Sequence, residues 1–339
     1  MLRREFLDLL ACPACRGALA LTEGSWDDGA LRSGALSCSD CSLTYRVEGG
    51  LPLLYVADER WEPCAREAQG WIELHKSLGI YDQTGVDIDL RLPYHPEEPW
   101  LGVARHFDAG LGLAQLNGDE TVLDLGAGRG WAAKHFALRG CRVAAIDVVA
   151  DDQVGLGRAW ALMADSGVSF APVIGDFERL PFSDGTFDVV FCAAALHHAP
   201  DLTRMLRDVL RVLKPGGRLV AVNEPCIGAQ ESEQDVLLRD AAQELSFGIR
   251  ETRPSLERYR SSFEDAGFRA LRVLPLQAYG LDDRKLETWA RGQLGLRARR
   301  RLSALLPPGR HSRTDALLSD VLARTSHDVL ITAAKPHVE

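Results

Sequence analysis

Residues 121–130, Thr-Val-Leu-Asp-Leu-Gly-Ala-Gly-Arg-Gly, constrain this chain more than any other stretch. The apolar run Thr121 to Leu125 has the length and flanks of a buried parallel strand. It breaks into a glycine cluster, and Trp131 to Leu138 then reads as a helix ending at Gly140. Glycine suits such a turn because the backbone needs unusual angles and a ligand must come close to the main chain. A second apolar run, Cys141 to Ile146, stops at Asp147. An acid about 20 positions beyond the glycines is placed to accept hydrogen bonds from ribose hydroxyls. Together these features read as a nucleoside-binding β-α-β unit.

The details separate one cofactor class from another. The glycines fall at Gly126, Gly128 and Gly130, and Trp131 stands where a dinucleotide fingerprint wants its third glycine. Asp124, two residues before the first glycine, would repel a pyrophosphate and attract an ammonium group. A tight strand-to-helix turn with no ligand is the competing reading. The pattern D-x-G-x-G-x-G resembles motif I of the class I S-adenosylmethionine (SAM)-dependent methyltransferases.

Four further segments follow in the order that this resemblance implies. Val168 to Ile174 reads as a strand leading into Gly175-Asp176-Phe177-Glu178-Arg179-Leu180-Pro181-Phe182, which resembles the G-D-x-x-x-L-P-F signature of small-molecule methyltransferases. By that resemblance Asp176 would accept from the adenine amino group and Phe177 would pack near the base. Phe187 to Ala194 reads as a fourth strand, followed by Leu196-His197-His198-Ala199-Pro200. Leu202 to Leu213 has helical spacing and stops at Lys214-Pro215-Gly216-Gly217. A fifth strand, Arg218 to Val222, ends at Asn223-Glu224-Pro225. Glu224 is a secondary candidate for substrate contact, with surface exposure the expected state. Ser255 to Ala266 reads as a helix, and Leu271 to Pro275 and Asp328 to Ala333 as the last two strands. The residues between those strands, 279–327, are an insertion relative to the family pattern and carry Arg297, Arg299, Arg300 and Arg301.

The resemblance implies a Rossmann-like α/β domain with a seven-stranded, mostly parallel sheet. The cofactor contacts it implies are Asp124, Gly126, Ala127, Gly128 and Gly130 for the amino-acid part, and Asp147 with Val148 for ribose. Asp176, Phe177 and Ala193 complete the set toward adenine. Ligands of open α/β sheets bind outside the carboxyl ends of strands, so His197 and His198 are the catalytic candidates. Histidine titrates near neutrality and can take a proton from an acceptor. Two adjacent histidines usually face different ways, so one at most is expected to do so. The alternative is a histidine that caps the following helix or positions the cofactor loop.

The amino-terminal residues carry a second pattern. Cys12-Pro13-Ala14-Cys15 and Cys38-Ser39-Asp40-Cys41 are two C-x-x-C knuckles separated by an excursion containing Gly24, Gly29 and Gly34. Two such knuckles present four thiolates to one tetrahedral zinc, a closed and therefore structural site. So small a module has little core, and metal binding would supply much of its folding energy. The run L-x-C-P-x-C, C-x-x-C, Tyr45 and Gly50-Leu51-Pro52-Leu53-Leu54 resembles the zinc-ribbon activator subunits that partner tRNA methyltransferases. The expected organisation is a ribbon over 1–55, a helical connector or lid over 56–116, and the methyltransferase domain over 117–339. In the aromatic-rich connector, Trp61, Trp71, Tyr81, Tyr94 and Trp100 are expected mainly to pack the modules together. Substrate stacking is the alternative, with Tyr94 and His95 the residues to watch for it.

Composition narrows the rest. A net charge of −9 argues against generic electrostatic binding to nucleic acid. No apolar run approaches the roughly 20 residues that span a bilayer, and no secretory signal is evident. Eight cysteines, four of them in two knuckles, fit a metal site in a reducing cytoplasm better than a disulfide framework. The expectation is a cytoplasmic SAM-dependent methyltransferase with structural zinc and a small-molecule acceptor. Two other readings remain: a zinc-containing ribosomal RNA guanine-N1 type of enzyme, and a non-catalytic partner built on the fold.

Overall fold

The computed structural model describes residues 2–81, 86–97, 99–295 and 313–337. The chain opens with β1 (Leu2–Arg3) and a 3₁₀ turn over Arg4–Leu9, then β2 (Leu19–Asp27), β3 (Ala30–Cys38), β4 (Thr44–Glu48) and β5 (Leu51–Leu54). Asp28 and Gly29 join β2 to β3 with φ of +46° and +71°. That two-residue connection with both angles positive matches the right-handed twist of the flanking strands. The short core of this module is not its own. Leu2, Phe6, Leu9, Leu10, Leu31 and Leu36 share one buried cluster with Phe182 and Phe187 farther along the chain.

Three helices follow: α1 (Trp61–Ser77), α2 (Val86–Arg91) and α3 (Trp100–Ala114). Helix α1 begins at Trp61, with Pro63 in the first turn where its missing N–H costs no hydrogen bond. Next come β6 (Thr121–Leu125), α4 (Trp131–Ala137), β7 (Arg142–Asp147), α5 (Ala159–Ser166), β8 (Ala171–Gly175) and β9 (Phe187–Ala193). The remainder is α6 (Leu202–Val212), β10 (Leu213–Cys226), α7 (Glu233–Asp240), α8 (Ala242–Ser246), α9 (Leu256–Ala266), β11 (Arg269–Pro275), α10 (Asp283–Gln293), α11 (Arg313–Leu322) and β12 (His327–Ala334).

The strands form one sheet in the order β1-β3-β4-β5-β8-β7-β6-β9-β10-β12-β11, with β2 paired to β3. From β8 to β11 this is the expected seven-stranded, mostly parallel arrangement. Strand β12 runs antiparallel to both β10 and β11. The ribbon adds an eighth strand to it. Leu53 and Leu54 of β5 pair in parallel with Ile174 and Gly175 of β8, so the module continues the central sheet.

Side-chain parity along the strands sorts the two faces. Leu123 and Leu125 of β6 face the ribbon, α6 and α9, whereas Val122 faces α3 and α4. Two sequence expectations need correction here. Lys214-Pro215-Gly216-Gly217 is not a break before a short strand but an irregularity inside β10, where the pairing register shifts between Leu213 and Arg218. Glu224, expected at the surface, is completely buried. Of the 279–327 insertion, α10 and α11 are described, whereas Arg297, Arg299, Arg300 and Arg301 lie outside the described residues.

Candidate functional site

The carboxyl ends of β6, β7, β8 and β9 open into a cavity of about 480 Å³, within the size range of small-molecule sites. The glycine turn forms its floor through Gly126 and Gly128. Gly126 has a φ of +72°, and a β-carbon there would run into Ala195. Glycine is thus required there by the positive φ and by the close packing of Ala195. Asp147 lines the cavity at the end of β7. Its Oδ2 accepts from the Gly128 N–H at 2.8 Å and its Oδ1 from the Val149 N–H at 2.9 Å. A carboxylate offers about four acceptor positions, so capacity remains for two ribose hydroxyls. Burial pushes the Asp147 carboxyl up to about 6, against these two N–H groups that hold it down.

Val148 and Phe177 also line the cavity, and His198 closes one end. Asp124 does not reach it. Parity turns its side chain toward α4, where Oδ2 accepts from the Ala133 N–H at 2.9 Å and the residue is 1% exposed. Asp124 thus anchors the helix that follows the glycine turn and makes no contact with the cavity. Burial pushes its carboxyl up to about 7, with the nearby Asp147 charge acting in the same direction. Ala127, Gly130 and Ala193 likewise stand behind the lining, with Ala194 and Ala195 in front. Asp176 is folded into its own turn, its Oδ1 accepting from the Glu178 N–H at 2.9 Å, and stands off the lining.

Several lining residues carried no motif. Glu67 and Trp71 come from α1, four residues apart and hence on one helical face. His95 and Trp100 follow from the connector, and Trp131 from the start of α4. Trp71, Trp100 and His95 thus face the cavity, whereas Trp61 stacks on Tyr55 with centroids 3.8 Å apart and Tyr94 donates to Asp108. Arg129, inside the glycine motif itself, lines the cavity and reaches back to Asp89 of α2 at 3.0 Å. Arg158 holds the other oxygen of Asp89 at 2.6 Å. This buried pairing ties the connector to the glycine turn.

Both histidines are buried, and of the two His198 lines the cavity while His197 lines a neighbouring cleft. Their rings lie side by side with centroids 4.4 Å apart. Glu224 organises their backbone: its Oε1 accepts from the N–H groups of Ala195 at 2.8 Å and Leu196 at 2.9 Å, and its Oε2 from His197 Nδ1 at 2.9 Å. These donors, His197 foremost, hold the Glu224 carboxyl below its ordinary value despite the opposing effect of burial.

The four cysteines of the ribbon gather outside the cavity lining. Cys12 and Cys41 sulfurs are 3.6 Å apart, Cys15 and Cys38 sulfurs 3.4 Å, and all four lie within 4.8 Å of one another. The Tyr45 hydroxyl reaches Cys12 Sγ at 3.1 Å. Backbone N–H groups of Asp40 and Cys41 point at the Cys38 sulfur, and that of Gly17 at Cys15. Such donors stabilise thiolates, and the donor set fits tetrahedral zinc.

Comparison with known proteins agrees with this geometry. Residues 123–221 match the model of the methyltransferase domain family, and residues 3–50 match that of Trm112p-like proteins. The chain is 34% identical over 141 residues to a sarcosine/dimethylglycine N-methyltransferase of Halorhodospira halochloris, covering 40% of this chain and 50% of that one. It is 42% identical over 128 residues to a demethylmenaquinone methyltransferase of Thermobifida fusca, covering 35% and 50%. The chain thus spans about half the length of these relatives. Among solved structures, the phosphoethanolamine N-methyltransferase 2 of Haemonchus contortus shares the fold at a TM-score of 0.50 and 19% identity, over 79% of this chain and 60% of that one. Fold, site and family matches converge: a region matching Trm112p-like proteins precedes one matching the methyltransferase domain family, in a single sheet.

Proposed function

We propose that the chain is a SAM-dependent methyltransferase acting on a small-molecule acceptor, with a structural zinc in its four-cysteine cluster. One observation carries this reading. The glycine turn, the Asp147 carboxylate and Phe177 line a single cavity at the carboxyl ends of the central strands. When bound, SAM would supply a methyl group on its sulfonium, which a nucleophile attacks at carbon while the methyl–sulfur bond breaks and the neutral thioether leaves. The protein's part is to hold donor and acceptor in line and to exclude water.

Asp147 would hold the ribose, Phe177 would pack against the base, and the turn at Gly126 and Gly128 would admit the amino-acid part close to the backbone. Trp71, Trp100 and Trp131 give the remaining wall an aromatic surface suited to a compact, partly apolar acceptor. Names of the relatives support small acceptors: amines in one case and a quinone in the other. The net charge of −9 points the same way, since a polyanion would be repelled. Among the described residues no helix is long and apolar enough to cross a membrane, and the proposed location is the cytoplasm.

Calorimetric titration of the zinc-loaded protein with SAM, and with its demethylated product, tests the cofactor. Binding that Asp147→Ala removes supports the proposal, and labelled methyl transfer to amines, phenols and quinols then sorts the acceptors. A folded protein that binds neither ligand refutes it.

A further inference from the structure

Beside the main cavity the fold assembles a donor set that methyl transfer does not by itself require. His197 Nδ1 donates to Glu224 Oε2 at 2.9 Å. His198 Nδ1 donates to the Arg250 carbonyl at 2.5 Å, with Glu67 Oε1 3.2 Å away. Protons fixed at Nδ1 leave Nε2 of each neutral ring as a bare lone pair. Both lone pairs meet one carboxylate: Glu251 Oε2 is 3.6 Å from His197 Nε2, and Oε1 is 3.9 Å from His198 Nε2. The three side chains are 9%, 11% and 6% exposed, so bulk water does not separate them.

Acceptors facing acceptors in a closed site repel one another unless something positive lies between them. The separations are too long for direct hydrogen bonds. They are close to the roughly 3.4 Å between ligand atoms that a tetrahedral ion with bonds of about 2.1 Å imposes. The outer partners fit as well, because a ligating histidine usually donates its other N–H to a carboxylate or backbone carbonyl. Charge is compatible with a cation: Glu67 pairs with Arg250 and Glu251 Oε2 with Arg253, so with both imidazoles neutral the charge left over is that of Glu224, behind His197.

We propose that His197 Nε2, His198 Nε2 and the Glu251 carboxylate form a second metal site, separate from the thiolate cluster, for a first-row divalent cation. Two imidazoles and one carboxylate favour such ions and leave coordination positions open. The cluster lies between the main cavity, which His198 lines, and a second cleft, which His197 and Arg253 line. Resting on the methyl-transfer reading, the open positions take an anionic oxygen of the acceptor. The metal site itself stands without that reading.

The test uses the full chain with zinc filling the four cysteines, titrated with Co²⁺ alone and followed by visible absorption. The expected result is one bound equivalent with nitrogen/oxygen ligand-field bands and no sulfur charge-transfer band. Glu251→Gln and His197→Ala should each weaken binding by about tenfold or more, with folding checked by circular dichroism without added metal. No binding, a sulfur charge-transfer band alone, or binding unchanged in both variants overturns the site. Should both variants unfold, the wild-type ligand-field spectrum decides by itself. A protonated imidazole bridging to Glu251 is the competing source of positive charge, and it gives the no-binding result. SAM titration of the same samples keeps the two proposals distinct: SAM bound without Co²⁺ overturns only the metal site, and Co²⁺ bound without SAM only the cofactor.

Discussion

Asp147 and Gly128 are joined by a 2.8 Å hydrogen bond from the glycine N–H to the carboxylate, so the acid expected to hold ribose also fixes the turn beneath it. Removing it therefore acts twice. Asp147→Ala is expected to lower SAM affinity about tenfold to a hundredfold by calorimetry, the range for hydrogen bonds to a charged group. Asp147→Asn, which keeps one acceptor oxygen, should fall between. Unchanged affinity in Asp147→Ala would place the cofactor elsewhere.

The buried acids set a pH dependence. Asp124 ordinarily titrates at 3.8 and is pushed up to about 7 in the fold, and Asp147 to about 6. The folded state then holds protons that the unfolded chain has already lost, so stability falls as pH rises from about 4 to 7. At about 1.4 kcal/mol per unit, Asp124 alone accounts for up to roughly 4 kcal/mol. Asp124→Asn, whose oxygen can still accept from Ala133, should flatten this decline and raise the melting temperature at pH 8. Denaturant titrations at pH 5 and pH 8 check it. A variant less stable than wild type at pH 8 contradicts the account.

Asp89 is buried between Arg129 and Arg158, with no exposed surface of its own. Asp89→Ala leaves two guanidinium groups without that counter-charge and is expected to cost about 3–5 kcal/mol. Because Arg129 lines the cavity, SAM affinity should fall with it. Thermal melting and calorimetry on one preparation read both effects, and a loss of stability with affinity intact would separate the connector from the site.

The ribbon should unfold with the catalytic sheet. Its β5 pairs with β8, and its apolar residues share a cluster with Phe182 and Phe187. Chelating the metal, or Cys38→Ser, is expected to lower the temperature of one cooperative transition for the whole chain. Two separate transitions in calorimetry, with the upper one unmoved, would show independent modules.

What could be read from the sequence follows from burial and periodicity. Strand β6 has the bounds its apolar run predicts, Thr121–Leu125, because it is covered on both faces and bounded by glycine. The glycine turn and Asp147 were legible because ligand approach demands particular residue types at particular spacings. Asp124 was legible as a motif member but not as a helix anchor, since its orientation depends on strand parity against α4. Glu224 was legible only as a strand-end acid expected at the surface, because the backbone N–H groups of Ala195 and Leu196 that it serves belong to another loop, and Glu251, in an irregular segment, gave no signal. Trp71 and Glu67 share a helical face by their spacing of four on α1, but nothing local says what that face meets. The pairing of β5 with β8 joins residues about 120 positions apart, beyond any local pattern.

That junction changes what can regulate the molecule. A ribbon built into the edge of its own sheet cannot be diluted away, and its local concentration is set by covalent linkage rather than by supply. A free ribbon from another chain would have to displace an occupied edge. On the proposed reading, competition for a separate ribbon would then offer no point of control, and metal supply to the four cysteines would take its place.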